Sequence, residues 1–359
     1  MKKKILALIL CLSLIFSTGL VAAAEGAYAQ NVPEIVRILD GIGELVTQLF
    51  NLMSVRTSYP DSHPLCSVPE LDKGYIPQGF CYVDSHDMFA VSYYSDSDLN
   101  SIVSLIDAST GEKVKTVRLF NQSGSACKAH VGGICAIGDS LIVSSGKSVK
   151  RLLIEDVLAA EDFGDVRFCG TLNTDMQASY VCSYENQLFV GQFYTFSVDG
   201  GYDTPVEQRL YAPGFNRNYA MCEEFDMSDM NAVFEAETAV PEFVISMPNS
   251  VQGVAFDGET FVTSASYSRN GASKIRYYKL NESGMLYNMR GHDVPLYFLL
   301  DSTATSTVSV PPMVEGIDFY NGKVTGVFES GSNKYSDAKV VTPFICEFER
   351  NGSDLISGC

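Results

Sequence analysis

Four polar side chains stand just ahead of short apolar runs. They are Gln78 in "PQGFCYV", His130 in "HVGGICAI", Gln252 in "SVQGVAF" and Glu315 in "MVEGIDF", each followed within three residues by a glycine. If the apolar runs are the innermost strands of a ring, an imidazole, two amides and a carboxylate meet at one mouth of the central channel. A few convergent polar groups in a concave site can hold a ligand. The carboxylate could hold a divalent ion. In a catalytic ring Glu315 would be the metal ligand and His130 the base for an activated water. The same side chains could equally hydrogen-bond neighbouring backbone and lock the ring together.

A second set aligns just inside the first. Cys81, Cys135 and Cys182 share one position of the frame, with Ala255 and Asp318 in the other two units. Small residues suit strands that converge, and cysteine buries well. Three thiols near His130 could also bind zinc. Asp318, beside Glu315, is a further metal candidate. "DSDLNS" (96–101) offers Asp96, Asp98 and Asn100 at alternate positions, as in a calcium loop, but Ser101 stands where the sharp-turn glycine belongs. The equivalent "SRNGAS" has no acids, so a solvated hairpin tip explains the loop without metal. Aromatic loop residues, Tyr94 and Tyr267 among them, could line a binding face. Neither G-x-S-x-G nor HExxH occurs, and "SGKS" at Ser145 lacks the glycine spacing of a phosphate loop.

The elements that must position these residues repeat. "PQGFCYVDSHDMFAVSYYSDSDLNSIVSLID" and "SVQGVAFDGETFVTSASYSRNGASKIRYYKL" share an order: polar-Gly, apolar run, turn, apolar run, Ser/Tyr loop, strand. "HVGGICAIGDSLIVSSGKSVKRLLI" and "MVEGIDFYNGKVTGVFESGSNKYSD" follow it, and "SYVCSYENQLFVGQFY" keeps all but the glycine. Asp257-Gly258 and Asn321-Gly322 sit where tight hairpins need positive φ. Units of four short antiparallel strands, repeated along the chain, predict an all-β propeller. The markers near 79, 133, 182, 253 and 316 give five blades, or six if a degenerate unit lies between 182 and 253. A β-sandwich with long loops is the competing architecture. "PFICEFE" is expected to close the ring near Cys66.

Two segments fall outside the repeat. In Val32 to Ser54, Ile35, Leu39, Ile42, Val46, Leu49 and Met53 form one helical stripe. It could pack on the propeller, self-associate or, less readily given its acidic polar face, lie on a membrane. Residues 195–242 read as a long loop insertion that could shape a binding site. The expected layout is a leader over 1–29, helix and linker over 30–65, and propeller over 66–359.

These repeats resemble the broad superfamily of secreted β-propellers that includes the six-bladed calcium-dependent lactonases and the paraoxonase-like and strictosidine synthase-like proteins. The resemblance spans residues 77–350 and rests on Gln78-Gly79, Gln252-Gly253 and Glu315-Gly316. It implies a propeller fold and, through Glu315 alone, a metal at the axis. Gln78 and Gln252 depart from the acidic residue found there, and the family's asparagine and aspartate ligands have no counterparts in matching places.

The 359 residues carry a formal charge of −18, which excludes nucleic acid and anionic membrane surfaces as natural partners. "MKKKILALILCLSLIFSTGLVAAAEGAYAQ" reads as a bacterial-type export leader, cleaved after Ala24 or Ala29. Export without stable membrane insertion is therefore expected. Of ten cysteines, nine remain once Cys11 leaves with the leader, an odd number whose pairing spacing does not fix. The expected function is a secreted propeller that binds a small molecule, carbohydrate or protein partner at one face or at the channel mouth. The alternative is a calcium-type metal-dependent hydrolase or lactonase acting in the channel.

Overall fold

A computed structural model describes residues 30–51, 58–196, 202–266 and 268–350. The leader, Tyr267, Cys11 and Cys359 lie outside these residues, as do the last residues of the expected helix.

Five antiparallel sheets surround one axis, so the chain is a five-bladed β-propeller. From the axis outward, blade I runs Tyr75–Val83, Met88–Ser95, Ile102–Asp107, Lys113–Phe120. Blade II runs Val131–Ile137, Ser140–Ser145, Ser148–Leu153, Gly170–Asn173. Blade III begins Tyr180–Tyr184, Gln187–Gly191, Ala220–Asp226, Phe243–Met247. Blade IV runs Val251–Phe256, Thr260–Ala265, Ser273–Lys279, Ser306–Val310. Blade V takes Val314–Tyr320, Lys323–Phe328 and Phe344–Phe348 from the C-terminal end and Ser62–Ser67 from the N-terminal end. The closure expected near Cys66 is present, with Cys66 opposite Ile345.

Local chemistry explains the hairpins. Asn321 and Gly322 have φ of 50° and 74°, and Tyr320 pairs with Lys323 across them, a two-residue turn of the type Asn-Gly favours. Asp257-Gly258 belongs to a wider connection, in which the Asp257 carboxylate accepts from the amides of Glu259 (2.9 Å) and Thr260 (2.7 Å). Apolar side chains fill the gaps between blades. Val103, Val117 and Cys81 of blade I meet Leu141, Val143 and Leu152 of blade II in one such layer.

The segment expected as a long loop at 195–242 departs from that reading. It holds the third strand of blade III, Ala220–Asp226, a small hairpin (Leu210–Ala212 with Asn216–Asn218) and a short helix, Met230–Ala236. Val, Ile and Phe are sparse in that strand, "AMCEEFD", which hid its period.

The N-terminal helix, Glu34–Asn51, docks on loops of blade III, though not by its expected stripe. Ile35 and Ile42 of that stripe are exposed. The docked face sets Val36 against the apolar cluster of blade III and is otherwise polar. Arg37 is ion-paired with Glu34 and with Asp203 at 2.6 Å, and Asp40 accepts from Arg217 and from the Tyr219 hydroxyl. Gly41 lies so close to the Phe196 ring that a Cβ would fall 1.9 Å from it. Ion pairs and one bare glycine set this contact, and an apolar pattern does not register them.

The inner strands touch backbone to backbone. A Cβ on Gly316 of blade V would stand 2.4 Å from the amide nitrogen of Phe80 in blade I. Gly316→Ala should therefore cost about 1–3 kcal/mol through overpacking that backbone cannot relieve. Gly43→Ala, where a Cβ meets nothing within 4 Å, should leave stability unchanged or raise it slightly. Thermal melts of the two variants check this, and equal melting temperatures would contradict it.

Candidate functional site

A cavity of about 1050 Å³ opens at the end of the channel where the inner strands begin. Its floor is built by a repeated irregularity. The ladder between the first two strands breaks register at Pro77/Gly79, Val131/Ile134, Val251/Gly253 and Val314/Ile317. A β-bulge re-aims a side chain that a regular pleat would send into the sheet. The residues at these breaks, Gln78, Gly132, Gln252 and Glu315, all line the cavity, and Ser179 completes the circle from blade III.

This register corrects one alignment. Gly132, not His130, is the blade II counterpart of Gln78, because Val131 pairs with Ser145 as Pro77 pairs with Tyr93. His130 lies two positions earlier and still reaches the cavity. The four side chains singled out from sequence thus converge, but they divide into two sets.

Gln78, His130 and Tyr94 are locked. The Gln78 amide nitrogen donates to Glu329 (2.6 Å) and to the Pro77 carbonyl (3.0 Å). Its oxygen therefore faces His130 Nε2 at 2.7 Å, so Nε2 carries the proton and Nδ1 the lone pair. The imidazole stacks on Tyr94, with centroids 3.8 Å apart. Crowding by protein and the charge of Lys334 hold its pKa below the usual histidine range; one side stays open to solvent, and His130 is neutral at pH 7. Lys334 Nζ donates to the Tyr94 hydroxyl (3.0 Å) and pairs with Asp96 (2.7 Å).

The side chains of Gln252 and Glu315 have no hydrogen-bond partner among the described residues. Glu315 is 3% exposed. Burial, and then the neighbouring charge of Glu329, keep its carboxyl well above the usual carboxylate range. Burial raises Glu329 to about 7, against the Gln78 hydrogen bond and the charge of Lys334. Two more buried cavity atoms lack partners, Gln192 Oε1 and Thr195 Oγ1.

Glu329, Gln192, Lys334, Tyr335 and Arg269 were not singled out from sequence. Glu329 was within reach: it continues the strand beside Met313 as Tyr94 does beside Ile76, so it occupies Tyr94's place in the repeat. Gln192 follows the second strand of blade III at the place of Tyr93, and Arg269, Lys334 and Tyr335 lie in the variable loops after the second strands of blades IV and V. Tyr267 lies outside the described residues.

Asp318 is not in the cavity. It sits three residues further along its strand, half-buried, accepting from the amides of Tyr82 (2.9 Å) and Phe319 (2.8 Å), with its pKa raised by desolvation to about 7. Its charge bears on Cys81, Cys135 and Cys182, so the second layer does converge, as small and buried side chains. The eight described cysteines are all free thiols. Asp96 is held by Lys334, Asp98 by Lys128 at 2.6 Å, and the Asn100 amide donates to the Leu119 carbonyl. Among the described residues no three His, Cys, Asp or Glu side chains converge as a metal cage. The charges of Asp96 and Asp98 are thus each met by a lysine of the protein.

The chain is thus a five-bladed β-propeller with a polar axial cavity. No family model and no curated protein matches its sequence. Among solved structures it is similar to glutaminyl cyclase of Myxococcus xanthus at 8% identity and TM-score 0.36, over 82% of this chain and 94% of that one. Hydrazine synthase of Kuenenia stuttgartiensis follows at 12% and 0.34, over 76% of this chain and 58% of that one. The computationally designed Ika8 protein matches at 8% and 0.29, over 75% and 72%. Likenesses this distant say nothing of activity, and the propeller rests on strand topology. Five blades, not six, separate it from the lactonase-type architecture it resembles.

Glu329 makes stability depend on pH. An unfolded glutamate titrates near 4.5 and this one at about 7. Between those values the unfolded chain binds fewer protons, so stability falls as pH rises. Glu329→Gln should match wild type near pH 4.5 and exceed it above pH 7 by about 1–3 kcal/mol. Parallel melting profiles across that range would refute the assignment.

Proposed function

We propose that this protein is a secreted binding propeller that takes a polar ligand into the axial cavity. One observation carries the reading. Glu315 and Gln252, aimed at the axis by bulged strands, line a cavity of about 1050 Å³ without partners. An unpaired buried polar group costs about 1–3 kcal/mol, which a ligand's hydrogen bonds would offset. The lysine-led apolar N-terminus supports export. The acidic surface favours a soluble neutral or cationic partner over a polyanion.

A second reading is hydrolysis at the same place without metal. Burial lifts the Glu315 carboxyl well above the usual carboxylate range while Glu329 titrates near neutrality, and carboxyls whose pKa values are driven apart can divide the roles of acid and base.

One screen tests both. The mature chain is melted with neutral oligosaccharides and short peptides, and the mixtures are then analysed for cleavage. A ligand at about 100 times its Kd should stabilise by about 2.7 kcal/mol. That gain should vanish in Glu315→Gln and in Gln252→Ala. Stabilisation that survives both substitutions would place binding elsewhere and defeat the proposal. Cleavage lost in Glu329→Gln would favour the hydrolase.

A further inference from the structure

The atoms left unpaired in the cavity are mostly acceptors. Glu315 offers its carboxyl oxygens and Gln192 and Thr195 one oxygen each, while Glu329, bonded to Gln78 and Tyr94, adds its charge beside them. The cations that reach the cavity are already engaged. Lys334 is bound to Asp96 and the Tyr94 hydroxyl, and Arg269 is paired with Asp337 at 2.9 Å. Arg37, behind the lining residues Asp203 and Phe196, is committed to Glu34 and Asp203. Two adjacent carboxyls therefore remain on the floor with no cation of the protein's own in contact.

The rim also shows how this wall treats an ammonium. Lys334 Nζ stands 5.2 Å from the Tyr94 ring centroid and 5.1 Å from that of Tyr335, and Arg269 covers Tyr335 at 4.9 Å. Aromatic faces at such distances attract cations. We infer that the ligand enters through a protonated amine, its ammonium seated between Glu315 and Glu329 and donating to the unpaired oxygens around them. This rests on the binding function proposed above and names the ligand class: a primary amine carried on a small molecule or at a peptide's N-terminus.

Such seating moves protons in a fixed direction. Glu315 faces Glu329, and Glu329 faces Lys334, Asp96, Tyr94 and the Gln78 amide that links it to neutral His130. An arriving cation favours the ionised carboxyls, so binding releases a proton and the affinity rises with pH until the free carboxyls are ionised. Release of one proton gives at most about tenfold per pH unit. A neutral alcohol would not reproduce this because it carries no charge, and sodium carries the charge without the three directed hydrogen bonds an ammonium donates.

The test uses the full mature chain with glutamate δ-carbons labelled with ¹³C and assigned through Glu315→Gln and Glu329→Gln. Butylammonium chloride is the probe; 1-butanol, and sodium chloride at equal ionic strength, are the comparisons. Butylammonium at about 10 mM, an ample concentration for a millimolar site, should raise the melting temperature and shift both carboxyl resonances toward the ionised form. The response should strengthen with pH and be lost in Glu315→Gln. An equal response to 1-butanol, resonances that do not move, or an unchanged response in Glu315→Gln overturns the inference. If a neutral saccharide still gives stabilisation that depends on Glu315, the binding function stands and only the amine fails. If neither compound class acts through Glu315, both fall.

Discussion

The fold depends on how closely five inner strands can approach one axis. At blade I the neighbouring backbone leaves no room for a side chain on Gly79, where a Cβ would meet Ile134 N at 2.5 Å. The same holds for Gly133 against Val181 and for Gly253 against Glu315 and Gly316. Gly316 returns the contact to blade I. Serine hydroxyls on the second strands stitch the seam: Ser92 donates to the Gly132 carbonyl at 2.6 Å and Ser264 to the Glu315 carbonyl at 2.6 Å. Blade III solves the problem differently. Tyr180 replaces the glycine, and its ring lies over Gly191 on the second strand, where a Cβ would be 1.8 Å from it. The bulge that lets the glycine pass so close also turns the preceding residue toward the axis. Tight closure and the polar ring are thus one geometric event.

The outer edges are handled by exchange between blades. Blade II lends Gly164–Arg167 to the edge of blade I, in parallel with Lys113–Phe120. Blade IV lends the hairpin Glu282–Met289/His292–Phe298 to the edge of blade III. Blade V receives Ser62–Ser67 from the far end of the chain. An open strand edge invites pairing with another chain, and covering it removes that hazard. Each loan also fastens a blade to its neighbour outside the apolar seam, so the ring is held at its rim as well as at its axis.

The repeat was legible because the same constraint recurs in most units. Glycine at 79, 133, 253 and 316 is demanded by the backbone of the adjoining blade, and the turn at Asn321-Gly322 by positive φ. The axial residues followed from that frame, which is why Gln78, His130, Gln252 and Glu315 meet in one cavity. The frame could not say which of them are engaged, because Glu329, which holds Gln78, is 251 residues away in the chain. The bulge was invisible for the same reason: it is a relation between two strands, and it moved the blade II position from His130 to Gly132. The docked face of the N-terminal helix was misjudged because apolar periodicity assumes an apolar partner. Here the partners are Asp203, Arg217 and Tyr219.

Locking and binding are assigned to opposite sides of one ring. On one side Glu329, Gln78 and His130 form a continuous chain across blades V, I and II, with Tyr94 stacked against its end. A hydrogen-bonded network of this kind fixes geometry. On the other side the side chains of Gln252 and Glu315, from blades IV and V, are uncommitted, Glu315 buried and Gln252 half-buried. Glu329 touches both sides, through its hydrogen bond to Gln78 and through the field it exerts on Glu315. A cation drawn to the free side would lower the pKa of Glu329 and so strengthen its acceptance from Gln78. The ring's rigidity would rise with its occupancy, and the residue that fastens the blades would also report what the cavity holds.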